Sequence, residues 1–234
     1  MSGTNDLSLE SVYVVIAAYQ ESGMIGSVVD AVGRYIDPDR VIVVDDGSDD
    51  GTGRTALVHG ARVIRHVINR GQGAALATGI RAASRLGARV IVTFDADGQH
   101  DAADLPRICQ PVLSGRVDIV LGTRFGAENS SIPTLRRLIL KSAVVFTRTV
   151  SWIKVTDTHN GYRAMSRDAA DLIRIRRDRM EHASEILDQI KHHRLRYEEC
   201  PVSIRYSEYS LRKGQKNMDA WRLLMRILFY KAGG

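Results

Sequence analysis

The stretch ARVIVTFDADGQHD, residues 88–101, decides how the rest of the chain is read. Its first half is a run of β-formers, and its second half places Asp95 and Asp97 one residue apart before Gly-Gln-His. A run without polar alternation marks a strand buried on both faces, as parallel strands are. The acids then fall where such a strand leaves the sheet. An acidic strand end turning into a loop is one explanation, and a cation site is the other. The same plan recurs along the chain. VYVVIAAY (12–19), RVIVVDD (40–46) and DIVLGTRF (118–125) are further buried strands, and ARVIRHV (61–67) reads as another.

Helical patterns lie between these strands. Ile25, Val28, Val29 and Val32 share one face, a short helix follows GSDDGT, and GAALATGIRAASRLG (73–87) is closed by glycine. DAADLPRICQPVL (101–113) starts as a helix, which Pro106 and Pro111 are expected to bend or break. This alternation predicts an α/β fold with a doubly wound, mostly parallel sheet flanked by helices. Ligands of such sheets bind beyond the carboxyl ends of the strands, and those ends here are polar, acidic and glycine-rich. Past residue 130 the alternation lapses into a helix near 134–152, a loop over 156–167, a helix over 182–194 and a strand-like EECPVSIRY (198–206). No linker or repeat divides the chain, so one domain over 1–234 is expected.

Composition excludes several classes. With 44% hydrophobic and 26% charged residues the chain has an ordinary globular make-up. Its two cysteines, Cys109 and Cys200, lack metal-ligand spacing and read as reduced thiols. The polar start MSGTNDLSLES has no secretory core, and no apolar run reaches the ~18 residues of a membrane span. A cytoplasmic protein is expected. The net charge of +6 is concentrated at the end: Arg205, Arg212, Lys213, Lys216, Arg222, Arg226 and Lys231 face only Glu208 and Asp219. An anionic partner is expected there, whether phosphorylated ligand, membrane surface or nucleic acid. The apolar helix of 217–231 must be covered by the body of the protein, by a second subunit in a homodimer or by a membrane interface.

No P-loop, dinucleotide fingerprint or nucleophile elbow is present, and GQGAALATG (71–79) fits none of their spacings. Asp95, Asp97 and Gln99 remain. In an extended segment residues i, i+2 and i+4 point the same way, so their oxygens could converge on a hard cation such as Mg²⁺ or Mn²⁺.

Five motifs in order, VVIAAYQE, VIVVDDGSDDGT, NRGQGAALATGI, FDADGQHD and GTRF, together resemble the family 2 glycosyltransferases of GT-A fold. The chain is most similar to the dolichol-phosphate mannose synthase and polyprenyl-phosphate glycosyltransferase branch, from about Val12 to Lys216. The resemblance implies a nucleotide-sugar half over about 12–130 and an acceptor-side half over about 131–216, followed by the amphipathic helix of 217–234. It implies that Ala18, Tyr19 and Glu21 contact base and ribose, that Asp45 or Asp46 binds the base, and that Arg70 to Gly73 lie beside the nucleotide. Asp95, Ala96 and Asp97 become the DxD motif, with Asp95, Asp97 and Gln99 holding the metal and Arg124 contacting phosphate. In the second half Asp157, Asn160, Gly161 and Arg163 resemble the family's acceptor-side loop, and Arg212, Lys213 and Lys216 its basic loop over the diphosphate. Gln215 departs from the usual Ser or Thr there.

The expected reaction moves a sugar, with inversion, from a UDP- or GDP-sugar to a polyprenyl phosphate or to a glycan hydroxyl. A hydroxyl acceptor needs a base, and Glu181, Glu185 and Asp157 are the candidates. His100 and His159 are loop histidines beside the site, and Tyr19 and Tyr162 could stack on a ligand or belong to the core. A sugar-phosphate nucleotidyltransferase is the alternative enzyme, although AAYQES lacks its lysine-bearing glycine loop. Nucleic-acid binding is not expected: the basic tail has little aromatic interleaving.

Overall fold

The buried runs of the sequence become the centre of a seven-stranded sheet in the computed structural model, which describes residues 8–125, 155–158 and 160–205. β1 (Val12–Ala18) pairs in parallel with β2 (Val41–Asp45) on one side and β4 (Val90–Asp95) on the other. β3 (Arg62–Arg65) closes the β2 edge. On the far side come β5 (Ile119–Thr123), β6 (Arg163–Ser166) and β7 (Tyr197–Pro201), in the spatial order β3-β2-β1-β4-β6-β5-β7.

Alternate side chains of each strand feed two cores. Val14, Ile16, Val43, Val92 and Phe94 pack with α1 (Ile25–Gly33) and α4 (Leu105–Leu113), and Ala56 of α2 (Thr52–Val58) joins them. Val15, Ile42, Val44 and Ile91 pack on the other face, with α3 (Gln72–Arg85), α5 (Arg167–Leu172) and α6 (His182–His192). Burial on both faces is why these strands carry no polar alternation. The expected doubly wound, mostly parallel α/β sheet is found.

Three local expectations change. The predicted loop over 156–167 contains β6, which runs antiparallel between β4 and β5, and it leads directly into α5. Only four residues long and opening on an arginine, β6 carries no strand-like pattern of its own. The helix expected from residue 101 begins as a single turn at Ala102–Asp104, and α4 proper starts at Leu105. Pro106 sits in the first turn of α4, where its missing N–H is no loss, and Pro111 is carried inside the helix without ending it. Among the described residues no helix is long and apolar enough to cross a membrane. The predicted helix near 134–152 and the segment 217–234 lie outside the described residues.

Candidate active site

The carboxyl ends of β1, β2, β4 and β5 open on one side of the sheet, and antiparallel β6 begins there, with Arg163 paired to Thr93. The loops after β1 and β2 are laced together. Gln20 N donates to Ser48 Oγ at 3.0 Å, Glu21 N to Thr52 Oγ1 at 2.8 Å and Ser22 N to Asp50 Oδ2 at 3.0 Å. Burial works to raise the Asp50 carboxyl, but hydrogen bonds from Thr52 and Ser22 hold it down at about 2. Glu21 is buried beneath this lacing, and Tyr19 stands 45% exposed above it.

Both aspartates of the β2 end are buried and already hold backbone. Asp45 Oδ1 accepts from Ser48 N at 2.9 Å, and its second oxygen faces Arg65 Nε at 3.7 Å. Asp46 accepts from Arg70 N at 3.1 Å and Gly71 N at 2.6 Å, and His66 Nδ1 lies 2.7 Å from Oδ1. His66 reaches Thr78 Oγ1 at 3.0 Å through its other nitrogen, tying the turn to α3. Asp46 therefore shapes the Arg70–Gly73 turn, and Arg70 itself is exposed, 3.3 Å from Asp178.

At the end of β4 the arrangement differs from the alternation argument. The strand stops at Asp95, and Gly98, at φ +72°, swings the chain round, a conformation that favours glycine. Asp95, Asp97 and Gln99 do not share one extended face. Asp97 accepts from Gln99 N at 3.0 Å and from its side-chain Nε2 at 2.5 Å. The near neighbours of Asp95 are His100 Nε2 at 2.9 Å and Gln72 Nε2 at 3.3 Å. Gly161 packs so close that a Cβ there would overlap the Asp95 carboxylate. Both aspartates remain part-exposed at the crevice floor.

Their charge states diverge. Burial pushes Asp95 up, but His100 and then Arg163 bring it below its ordinary value. Asp97 is raised, first by burial and then by the charge of Asp95. Two crowded carboxylates with one left under-compensated are a hard, oxygen-rich donor set of the kind a divalent cation can use. Among the described residues no three His, Cys, Asp or Glu side chains converge as a self-sufficient metal cage. A pair of carboxylates suits an ion that takes its remaining ligands from a phosphate-bearing substrate.

Behind the pair lies a buried polar cluster drawn from the second half of the chain. Arg163 is 2% exposed; burial lowers its pKa, while Asp95 and Asp157 favour its charge. Its Nη1 and the Nδ2 of Asn160 are buried donors with no hydrogen-bond partner among the described residues. Asp157 holds Arg124, whose Nε lies 2.6 Å from Oδ2. Asp157 is held in turn through Glu199, which accepts from Thr156 N at 2.7 Å, Thr156 Oγ1 at 2.9 Å and Asp157 N at 3.3 Å. His182 is 3% exposed, and its Nδ1 donates to Arg179 O at 2.7 Å. Burial, then the charge of Arg163, brings its pKa down to about 4, so the ring is neutral.

Other sequence candidates find plain positions. Tyr162 is fully buried, edge-on to Phe94 with centroids 5.0 Å apart, and packs beside His100 in the core. Glu185 accepts from the N–H groups of Arg176 and Arg177, clamping the chain before α6. Glu181 stands at the start of α6, part-exposed. Cys109 and Cys200 are free and buried, and burial pushes the Cys109 thiol up to about 12. Ala96 is buried under the aspartate pair, and Gly73 packs against the backbone of Arg177. His159, Arg212, Lys213, Gln215 and Lys216 lie outside the described residues. Sequence reasoning did not name His182, gave His100 no partner, and placed Glu199 only within a stretch resembling the family's Glu-x-Pro-Val strand. The contacts of all three run across the fold, which local sequence does not show.

A doubly wound sheet with paired carboxylates at the β4 end, and arginines close by, is the architecture of a GT-A enzyme. Comparison with known proteins places it within one family. The glycosyl transferase family 2 model matches residues 13–174, and the chain belongs to that family, in its polyprenyl-phosphate branch. The chain is 34% identical over 234 residues to an uncharacterized protein of Methanocaldococcus jannaschii, covering 98% of this chain and 96% of that one. It is 32% identical over 243 residues to the UDP-N-acetylglucosamine–dolichyl-phosphate N-acetylglucosaminyltransferase of Methanococcus voltae, covering 95% and 96%. Its fold resembles that of glucosyl-3-phosphoglycerate synthase from Mycobacterium tuberculosis, solved with Mn²⁺, UDP-glucose and phosphoglyceric acid. That match has TM-score 0.63 and 22% identity, over 85% of this chain and 73% of the other. The protein is a glycosyltransferase.

Proposed function

We propose that the protein is a metal-dependent, inverting glycosyltransferase that carries a sugar from a UDP- or GDP-sugar to a polyprenyl phosphate. The observation that carries this reading is the aspartate pair at the β4 end, in a chain that aligns almost end to end with a dolichyl-phosphate glycosyltransferase. Asp95 and Asp97 would hold Mg²⁺ or Mn²⁺, with Gln99 beside them, and the ion would stabilise charge developing on the departing nucleoside diphosphate. Arg124 faces the same anion and is oriented by Asp157, and the unfilled donors of Arg163 and Asn160 are suited to anionic groups as well. The lacing of residues 19–22 to 48–52 and the Asp46-held turn at Arg70 frame the pocket for nucleoside.

The acceptor class follows from proton bookkeeping. A sugar hydroxyl must lose its proton to a base, whereas a lipid phosphate is already anionic near neutral pH. Of the three candidate bases, Asp157 is engaged by Arg124 and Glu185 by two backbone N–H groups, which leaves Glu181 at the start of α6. That favours an acceptor needing no base. In-line attack by a phosphate oxygen on the anomeric carbon, with the diphosphate leaving from the opposite face, inverts that centre. The enzyme would work as a peripheral protein at the cytoplasmic membrane face.

The test is direct: purified protein, a panel of UDP- and GDP-sugars, Mn²⁺ or Mg²⁺, and dolichyl or undecaprenyl phosphate, with released nucleoside diphosphate and labelled lipid as readouts. Lipid-phosphate-dependent release supports the reading. Absence of donor binding with every metal and every sugar nucleotide would sink it, and release that requires a glycan instead would shift the acceptor class.

A further inference from the structure

Beside the Arg70–Gly73 turn the surface changes character. Val67 and Ile68, following β3, are 98% and 68% exposed, an apolar pair that the fold leaves in water. Arg70 reaches Asp178 at 3.3 Å and Ala74 N donates to Asp178 O at 3.1 Å, so the turn that follows this tip lies against the segment RIRRDRM, residues 174–180. That segment carries four arginines against one aspartate and ends in Met180, 47% exposed. Among the described residues Arg174, Arg176 and Arg179 pair with no carboxylate. Between the segment and α3 runs an open groove of about 690 Å³, with Ala74, Ala77, Ile80 and Ile173 on its floor and Arg81 and Arg174 on its rim.

Exposed aliphatic side chains two residues before a turn that meets an arginine-rich ridge match one environment closely. The headgroup layer of an anionic bilayer offers phosphates to the arginines and an acyl boundary to the aliphatic tip. Neither Val67–Arg70 nor Arg174–Met180 contains an aromatic ring on which a nucleobase could stack. We propose that this face, the Val67–Ile68 tip with the Arg174–Met180 ridge, docks the enzyme on an anionic membrane surface. The inference draws its purpose from the lipid-phosphate reading above, because a donor crevice beside the docking face would be delivered to its acceptor. It assigns the contact to residues other than the 217–231 segment.

Vesicle binding tests it independently of catalysis. The full chain, with no nucleotide, is sedimented with phosphatidylcholine vesicles with and without phosphatidylglycerol. Binding is expected only to the anionic vesicles and should fall with salt. Replacing Arg174, Arg176 and Arg179 by Gln should weaken it about 100-fold, at ~5-fold per arginine, and Val67→Asp with Ile68→Asp should weaken it too. Both variants should retain the wild-type melt and UDP-sugar binding in Mn²⁺. As a second measure, Val67→Cys carrying an environment-sensitive dye should shift to the blue on anionic vesicles, the native cysteines being buried. The proposal is overturned if wild type ignores anionic vesicles, if both variants bind like wild type, or if the dye does not respond. Capture of RNA in place of vesicles overturns it in favour of a nucleic-acid surface. Loss of donor turnover with vesicle binding intact refutes the catalytic reading and leaves this one standing.

Discussion

Acidification should unload stability through His182. This ring is buried at the start of α6, with Nδ1 donating to Arg179 O at 2.7 Å, and its pKa falls from 6.5 to about 4. The unfolded chain takes up a proton below pH 6.5 that the folded protein refuses until about pH 4. The unfolded state therefore binds more protons in that window, so folding stability rises with pH across it and is flat above. The slope approaches ~1.4 kcal/mol per pH unit, which gives about 2 kcal/mol lost on going from pH 7 to pH 5. Urea unfolding of wild type and His182→Gln at both pH values isolates the effect, because other titrating groups contribute alike to both proteins. The variant is expected to be less stable at pH 7, having lost a fitted ring, yet to lose about 2 kcal/mol less on acidification. A proton NMR titration should show one histidine that stays neutral between pH 7 and 5. Equal acid losses in the two proteins would refute the assignment of a buried neutral ring.

Asp97→Asn should abolish metal-dependent donor binding, lowering kcat/KM by at least ~100-fold, while removing repulsion from Asp95 leaves the melting temperature equal or higher. Donor titration and thermal unfolding on the same sample check both halves; a destabilised but active variant would contradict the reading. Asp157→Asn breaks the buried pair with Arg124, at about 3 kcal/mol of stability, and should raise the KM for donor as the guanidinium loses its guide. Gly161→Ala drives a methyl group into the Asp95 carboxylate, so a loss of ~1–3 kcal/mol with weakened Mn²⁺-dependent UDP binding is expected; unchanged unfolding would show that the strand shifts freely.

How far the sequence revealed this molecule depended on whether a residue's role is local. Val14 to Ala17, Val41 to Val44 and, Thr93 apart, Val90 to Phe94 are apolar because both faces of their strands are covered, and that pattern is visible without coordinates. The acidic strand ends located the crevice for the same reason. β6 was hidden because its first residue is an arginine whose burial makes sense only beside Asp95 and Asp157. Extending strand geometry past Asp95 failed because Gly98 reverses the chain, so Gln99 turns to Asp97 and His100 to Asp95. The resemblance named roles for Asp46 and Arg163. The structure adds that Asp46 braces a turn and that Arg163 lies beneath the crevice floor.

The place of β6 in the sheet bears on how the chain can assemble during synthesis. β5 touches β6 and β7 but not β4, so it has no edge to join until residues 163–166 have left the ribosome. A nascent chain ending near residue 130 can build β1 to β4 with their helices, yet it must carry β5, whose five residues are all buried in the finished sheet, as an unpaired strand. Such a strand is a point of vulnerability to aggregation in any truncated product. The parts of the chain before and after residue 130 therefore share one sheet, closed by a late-arriving strand. Attempts to express the first half alone should yield insoluble protein, and exchanges of second halves between relatives should respect the β4-β6-β5 seam.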